Sequence, residues 1–342
     1  MTSLAAIILA AGKGTRMKSN RAKVTFPIAG KAMVHRVVET ASKAGCESIC
    51  VVVGHQKESV IACLEDNKHL QFAEQNEQLG TGHAVMMAEP LFTDPDQDVL
   101  ILSGDVPLLS AETLVKMQQD HQATGSVCTV LTAWLDDPGK YGRIIRDASG
   151  QISSIVEYKD ATDVQRSIRE WNTGIYCFRC GDLFSALKRI SNANHQREYY
   201  LTDVVSILHT EGRKVTGVVL ENLVEVAGVN SQEQLADLED QFVDSIRKHW
   251  LNNGVVIHNP RTVFISDEVV LEPDVEIHQN CVIKGKSQLC SGTYVGPGCY
   301  VENSHLCDNA LLEGHNVLVD AHIPEGHILE FGEQVIEETY YE

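Results

Sequence analysis

Positive charge is what this chain has little of. Lys and Arg total 28 against 47 Asp and Glu, a formal net charge of −19 over 342 residues. A general nucleic-acid binder draws its affinity from phosphate contacts and is normally basic, so that class is excluded. Small anionic ligands, which need only local positive charge, are not. Long apolar runs are also missing: no stretch approaches the roughly 18 residues that cross a bilayer, so no membrane partner is expected. Leu4–Ala11 has no basic stretch before it and a Gly-rich basic loop directly after it. It therefore reads as a buried parallel strand, not a secretory signal. Nucleophile and zinc-hydrolase motifs are absent, with no G-x-S-x-G and no H-E-x-x-H, and the histidines show no metal-ligand spacing. The ten cysteines are scattered, which suits a reducing, cytoplasmic compartment better than a disulfide scaffold. The one C-x-x-C, Cys177–Cys180, lacks a second pair to complete four zinc ligands, and Cys177 ends a strand-like run.

What is present begins as alternation. Ala5–Leu9, Ser48–Val53, Gln71–Ala73 and Asp98–Ser103 read as strands. Met33–Ala44 (stopped by Gly45), Glu58–Leu64 and Gly82–Glu89 read as helices. This βαβα order predicts an α/β fold with a doubly wound, mostly parallel sheet, whose ligands bind beyond the carboxyl ends of the strands. Strands come closer together from Ser126 to Phe178, an antiparallel extension suited to one wall of a pocket. Ser231–Leu251 reads as a charged, solvated connecting helix. The expected domains are 1–230, a connector at 231–252, and 253–342.

The last stretch has a different period. Val263, Val269, Val275, Cys281, Ser287, Thr293 and Cys299 recur every six residues. The series falters at His305 and resumes at Leu311, Val317 and Ile323. A second series, two positions on, runs Ile265, Leu271, Ile277, Ile283, Leu289, Val295, Val301. Six residues make one short strand and one turn, and three such units close a triangular coil. The tract from Val263 to about Ile328 is expected to form a short left-handed parallel β-helix of three to four coils. An irregular β-sandwich would alternate but need not hold this register. So short a solenoid needs capped or paired ends, so a homo-oligomer, a trimer through the β-helix, is expected.

Several segments could carry chemistry. Gly12-Lys13-Gly14-Thr15-Arg16 follows a buried strand, where glycines let the backbone approach a phosphate and Arg16 adds a bidentate donor. It matches neither standard phosphate motif. Lys23 lies seven residues beyond Arg16, and a group of cations near one Gly-rich loop suits a triphosphate. Gly80-Thr81-Gly82 opens a helix, with Thr81 as its cap and room for a planar base or sugar. Asp105 ends the strongest strand. Its carboxylate suits Mg²⁺ shared with substrate phosphates, and equally suits a cap on the following segment.

Taken together, Leu9–Met17, Lys23-Val24, Ala29–Met33, Glu77–Ala84, Gly104–Leu108, Tyr141–Ile144, Ile155–Glu157, Lys159–Ala161, Asn172–Gly174, Glu198–Asp203 and Val229-Asn230 resemble a known family. It is the N-terminal half of bacterial bifunctional N-acetylglucosamine-1-phosphate uridylyltransferase/glucosamine-1-phosphate acetyltransferase. The resemblance covers about residues 4–231 and implies a sheet of the nucleotide-diphospho-sugar transferase type. It implies that Leu9, Ala10, Ala11, Gly12, Gly14, Lys23, Gln75, Gly80 and Thr81 contact the nucleotide. Gly104, Gly142, Glu157, Asn172 and Asn230 would hold the sugar, and Asp105 and Asn230 Mg²⁺. Arg16 and Lys23 would neutralise phosphates during transfer of uridylyl from UTP to N-acetylglucosamine 1-phosphate. Departures are Ala22, where the family has proline, and Thr25-Phe26 for a more apolar pair. The family's Lys-Ala-Gly-His and Asn-Tyr-Asp-Gly segments, used in acetyl transfer, are not found, so no acetyltransferase activity is expected. A different sugar phosphate or nucleotide, or a regulatory subunit with a dead site, are the alternatives.

Overall fold

Why the first strand reads as unbroken apolar sequence is clear from its position. β1 (Leu4–Leu9) is buried from Leu4 to Ile8 because it pairs in parallel with a strand on each side, β2 (Ser48–Val53) and β4 (Asp98–Ser103). The computed structural model describes residues 2–67 and 69–337 and divides them into two units. One runs to Phe26 and from Lys31 to Gln232; the other takes Pro27–Gly30 and the described residues from Glu233 onward.

The first unit holds a nine-stranded sheet. Its edge beyond β2 is β3 (Leu70–Glu74), again parallel. Beyond β4 the direction reverses. The long strand β8 (Glu170–Arg179) runs antiparallel to both β4 and β5 (Cys128–Trp134). Parallel pairing resumes between β5 and β9 (Val215–Leu220). The expected antiparallel extension is a hairpin of β6 (Arg143–Arg146) and β7 (Ile152–Val156), joined to β8 through Trp171 and Arg143. β5 itself lies in the main sheet, and the one-turn helix α5 (Asp163–Arg166) precedes β8. A bidentate pair from Arg146 to the buried Glu170, at 2.6 and 2.8 Å, fixes the hairpin's base. Thr132 satisfies the same carboxylate at 2.8 Å.

Side-chain alternation along β1 feeds two cores. Ala5 and Ile7 face one side with α3 (Thr81–Ala88), α6 (Cys180–Leu187) and α7 (Asp203–Thr210). Leu4, Ala6 and Ile8 face the other with α1 (Met33–Lys43), α2 (Lys57–Ala62) and α4 (Ala111–Thr124). The unit is thus doubly wound, with helices covering both faces. Ligand loops collect beyond the carboxyl ends of β1, β3 and β4.

The second unit opens with α8 (Gln232–Asn252). This helix is more than a solvated connector. Val243 and Arg247 are buried, Ile246 and Trp250 pack on the core of the solenoid, and Arg247 donates to the Val263 carbonyl at 3.1 Å.

A coil of parallel two- and three-residue strands follows, resembling a short left-handed β-helix. Its three ladders hold five, five and four strands and run from Val256 to Ile336. That is longer at both ends than the sequence period suggested; residues 338–342 of the expected C-terminal tail lie outside the described residues. The register also differs. Inward residues step by six from Ile265 to Val301, then by five to Leu306, and by five again from Leu318 to Ile323. Each short step carries a left-handed residue, Asn303 (φ 48°) or Asp320 (φ 50°), at the same corner of successive coils. Leu311 and Val317, which looked like the resumed first series, are therefore half-buried. Ala310 and Asn316 take the buried positions instead.

Candidate active site

Loops at the carboxyl ends of β1, β3 and β4 enclose a cleft of about 320 Å³. Its floor is Leu9, Ala10, Ala11 and Gly12, which leave β1. One wall is Gln75, Gly80 and Thr81. Lys23 and Asp105 close the far side. The structure thus brings together nine of the residues singled out in the sequence.

The Gly80 wall is held by main-chain bonds. Gly80 adopts φ 112° and ψ 176°, a conformation only glycine enters readily. Tyr199 N donates to Leu79 O at 2.7 Å and Gly82 N to Tyr199 O at 2.8 Å. Thr81 does not cap α3. It is the first helical residue, with Gly80 at the cap position, and its hydroxyl accepts from Leu201 N at 3.2 Å. Gln75 is buried and donates to Gly80 O at 3.0 Å, so its amide is oriented before any ligand arrives.

Across the cleft lies a cluster of charge. Lys23 Nζ bonds to the Asp105 carboxylate and donates to Asn230 Oδ1 at 3.2 Å. Arg16 Nη2 donates to the same Oδ1 at 2.8 Å. Asn230 comes from far along the chain and is positioned by Val229 N, which donates to Asp105 O at 2.9 Å. Asp105 caps no helix: α4 starts later, with Ser110 accepting from Thr113 N. Its carboxylate and Asn230 Oδ1 already converge on one cation, the Lys23 ammonium. Two oxygen donors beside a phosphate-sized cleft suit a hard divalent ion. Gly14 supports Lys23 from behind, since a Cβ there would stand 2.7 Å from Lys23 Cβ. Ala22 replaces the family's proline without changing the loop, because its φ of −58° lies in proline's own range. Thr25, in the other departure, is buried and its hydroxyl donates to Ala22 O at 2.8 Å.

The third group comes from the hairpin and β8. A Cβ on Gly142 would lie 3.6 Å from both Asn172 Cβ and Glu157 Oε1, so these three residues meet. A bulge in the β8–β5 pairing between Asn172 and Tyr176, with Gly174 at φ 82°, re-aims Asn172. Its Nδ2 donates to Tyr176 OH at 2.7 Å. Burial pushes the Glu157 carboxyl above the usual range; the Thr202 hydroxyl opposes this at 3.4 Å, and Asp160, Asp203 and Glu198 add repulsion. Tyr141 packs on Trp171 with the rings tilted by 33° and 4.3 Å apart, and burial, with the Asp105 carboxylate, pushes its hydroxyl up.

Gly104 sits between Ser103 and Asp105, both in the lining, and packs tightly: a Cβ there would stand 3.1 Å from the Leu9 carbonyl oxygen and 3.3 Å from Val24 Cγ1. Lining residues given no role in the sequence are Val24, Gln78, Ala84, Ser103 and Glu198. Glu198 stands in the noted Glu198–Asp203 segment but drew no role. Among the described residues, three groups of His, Cys and carboxylate side chains have metal-ligating proximity, and all lie in the second unit.

A doubly wound sheet with a Gly-rich phosphate loop and an Asp at the end of a neighbouring strand defines the class. Residues 5–250 match the family model described as nucleotidyl transferase, and the chain belongs to that family. Its relatives are bifunctional GlmU proteins. It is 41% identical over 318 residues to Bifunctional protein GlmU of Heliobacterium modesticaldum, covering 93% of this chain and 69% of that protein. It is 42% identical to that of a Geobacillus species over the same shares. The nucleotidyltransferase portion is thus GlmU-like, in a chain shorter than those relatives. A UDP-glucose pyrophosphorylase solved with UDP-glucose superposes with a TM-score of 0.59 at 20% identity, over 72% of this chain and 100% of that one; that likeness is one of fold. The chain is an enzyme of the sugar-1-phosphate nucleotidyltransferase type.

Proposed function

We propose that this enzyme transfers uridylyl from UTP to N-acetylglucosamine 1-phosphate, releasing pyrophosphate and forming UDP-N-acetylglucosamine. The observation that carries the reading is the Arg16–Asn230–Lys23–Asp105 cluster, standing between a base-sized cleft and the Gly142–Glu157–Asn172 group. The chemistry needs no protein nucleophile. A phosphate oxygen of the sugar phosphate attacks the α-phosphorus in line, and the bond to pyrophosphate breaks. Positioning and charge neutralisation lower the barrier. Main-chain N–H groups from Ala10 to Gly14 orient the phosphates, and Arg16 and Lys23 neutralise them, Lys23 exchanging Asp105 for phosphate. Gln75, Gly80 and Thr81 read the uracil; Glu157 and Asn172 hold sugar hydroxyl and amide groups. Asp105 and Asn230 would hold Mg²⁺, whose Lewis acidity would stabilise charge on the phosphates when it is bound.

A cytoplasmic location and a trimer through the β-helix belong to the same proposal; no described helix is long and apolar enough to cross a membrane. The test is pyrophosphate release across a panel of nucleoside triphosphates and sugar 1-phosphates. Highest kcat/KM for UTP with N-acetylglucosamine 1-phosphate is expected. A higher value for another pair would reassign the substrates, and no turnover with any pair would remove the catalytic reading.

A further inference from the structure

The four-strand face of the β-helix carries a column of sulfur and nitrogen donors. His305 and His322 are register partners on adjacent coils, and both point outward because Leu306 and Ile323 fill the core. Two residues beyond His305, just past the end of its strand, comes Cys307. One coil before it, at the equivalent place, comes Cys290. Main-chain bonds hold these columns in step: Cys290 N donates to Leu306 O and Cys307 N to Ile323 O, each at 2.9 Å.

Side-chain distances then become informative. Cys290 Sγ lies 3.4 Å from His305 Nε2, and Cys307 Sγ lies 3.7 Å from His322 Nε2. The rings of His305 and His322 are 5.0 Å apart. Ligand atoms of His305, Cys307 and His322 all fall within 4.8 Å of one another. A tetrahedral Zn²⁺ with Zn–S of about 2.3 Å and Zn–N of about 2.0–2.1 Å requires S···N separations of roughly 3.5–3.6 Å. Both observed separations bracket that value. All four side chains are half-buried.

We propose that His305, Cys307 and His322 form a site for a borderline-soft divalent cation of the Zn²⁺ class, joining two successive coils of the β-helix. One thiol and two neutral imidazoles supply three ligands, and the fourth position is left to water. The balance is M²⁺ plus one S–H group giving one metal–thiolate bond and one released proton, with no redox change. The site shares no residue with the transferase cleft. Cys290, beside His305, belongs to another group, Glu272–Cys290–Asp308; that group and His258–Glu276–His278 combine fewer soft donors.

The test uses the full chain, freed of metal by a chelator. Co²⁺ is added as a spectroscopic probe, and Zn²⁺ affinity is measured by competition with a chromophoric chelator. One equivalent per chain is expected, with thiolate-to-Co²⁺ charge transfer and the intense visible bands of a tetrahedral ion. Cys307→Ser and His322→Gln should each weaken Zn²⁺ binding by about 100-fold or more and lose the tetrahedral bands. Cys290→Ser removes a thiol outside the group and should keep both the affinity and the charge transfer. His278→Gln should change neither. Metal-free melting curves of every variant report whether it folds, and His322→Gln, at an outward position, is the variant that leaves the core untouched. No thiolate band in the wild type, an unchanged spectrum in Cys307→Ser, or loss of the metal in Cys290→Ser or His278→Gln would each overturn the three-donor site.

Discussion

Replacing Gly80 by alanine perturbs the nucleotide cleft at its stiffest point. The added Cβ would lie 2.6 Å from Tyr199 O and 2.9 Å from both Glu198 Cβ and Tyr199 N. Neither neighbour can recede freely, because the bonds from Tyr199 N to Leu79 O and from Gly82 N to Tyr199 O tie the segment to this turn. Backbone strain at such a φ costs about 1–3 kcal/mol. Relieving the clash by giving up a main-chain bond costs about 1 kcal/mol more, for a total of roughly 2–4 kcal/mol. In a domain of this size each kcal/mol lowers the melting temperature by about 2–4 °C, so a fall of roughly 5–15 °C is expected. Thr81 and Glu198 move with the turn, and both line the cleft, so KM for UTP should rise more than KM for the sugar phosphate. Calorimetry of the full chain and initial rates of pyrophosphate release measure both effects. A Gly80→Ala protein melting within about 1 °C of wild type, with unchanged KM for UTP, would refute the claim that these contacts pin the wall.

Gly142→Ala makes the contrasting case: its Cβ meets Ile155 Cγ2 at 3.3 Å and Glu157 Oε1 at 3.6 Å. Stability should change by less than about 1 kcal/mol while KM for the sugar phosphate rises; a rise confined to UTP would count against the sugar assignment. Asp105→Asn should keep the fold and lower kcat by about 10²–10³-fold, and chelating divalent ions should abolish wild-type turnover until Mg²⁺ is restored; activity indifferent to chelation would contradict the metal role. Glu157→Gln tests the buried carboxyl. Its pKa is raised in the fold, so its contribution to stability is present at acid pH and lost as pH climbs through the folded value. The melting temperature of the Gln variant relative to wild type should therefore increase between about pH 4 and pH 7; a pH-independent difference would rule this out.

Much of the first unit was legible because buried parallel strands read as unbroken apolar runs. Ala5–Leu9, Ser48–Val53 and Asp98–Ser103 each sit between two neighbours or beneath helices on both faces. α4 escaped notice because its buried stripe is only Leu114, Met117 and His121, too thin for a clear period. α6 and α7 span eight residues each, little more than two turns. β9 buries only Val215 fully, so its alternation is faint. In the solenoid the period was visible but its slip was not: a one-residue deletion at a corner moves every later residue to the neighbouring position without changing composition.

The site divided in the same way. Lys23, Asp105 and Asn230 were legible as a set of charged and amide groups, and the structure joins them through single hydrogen bonds. The close packing of Gly104 against the Leu9 carbonyl and Val24 was not legible, because a glycine between two site residues carries no sign of which way its Cα faces. The histidines showed no ligand spacing because intervals of three to five residues are those of helices and fingers. In a β-helix the relevant interval is one coil, and His305 to His322 and Cys290 to Cys307 are each separated by 17 residues.

The main-chain bond from Val229 to Asp105 has a consequence for how the enzyme comes into being. Every other part of the cleft is encoded before residue 204, and the sheet strands β1 to β4 precede residue 104. Asn230 is nonetheless needed to orient Arg16 and Lys23. A ribosome-bound chain can therefore close its base pocket once Glu198 and Tyr199 have emerged, while the phosphate end stays incomplete. Nucleotide held by such a chain would be bound without being turned over, and catalysis would switch on only when the last residues of the first unit emerge.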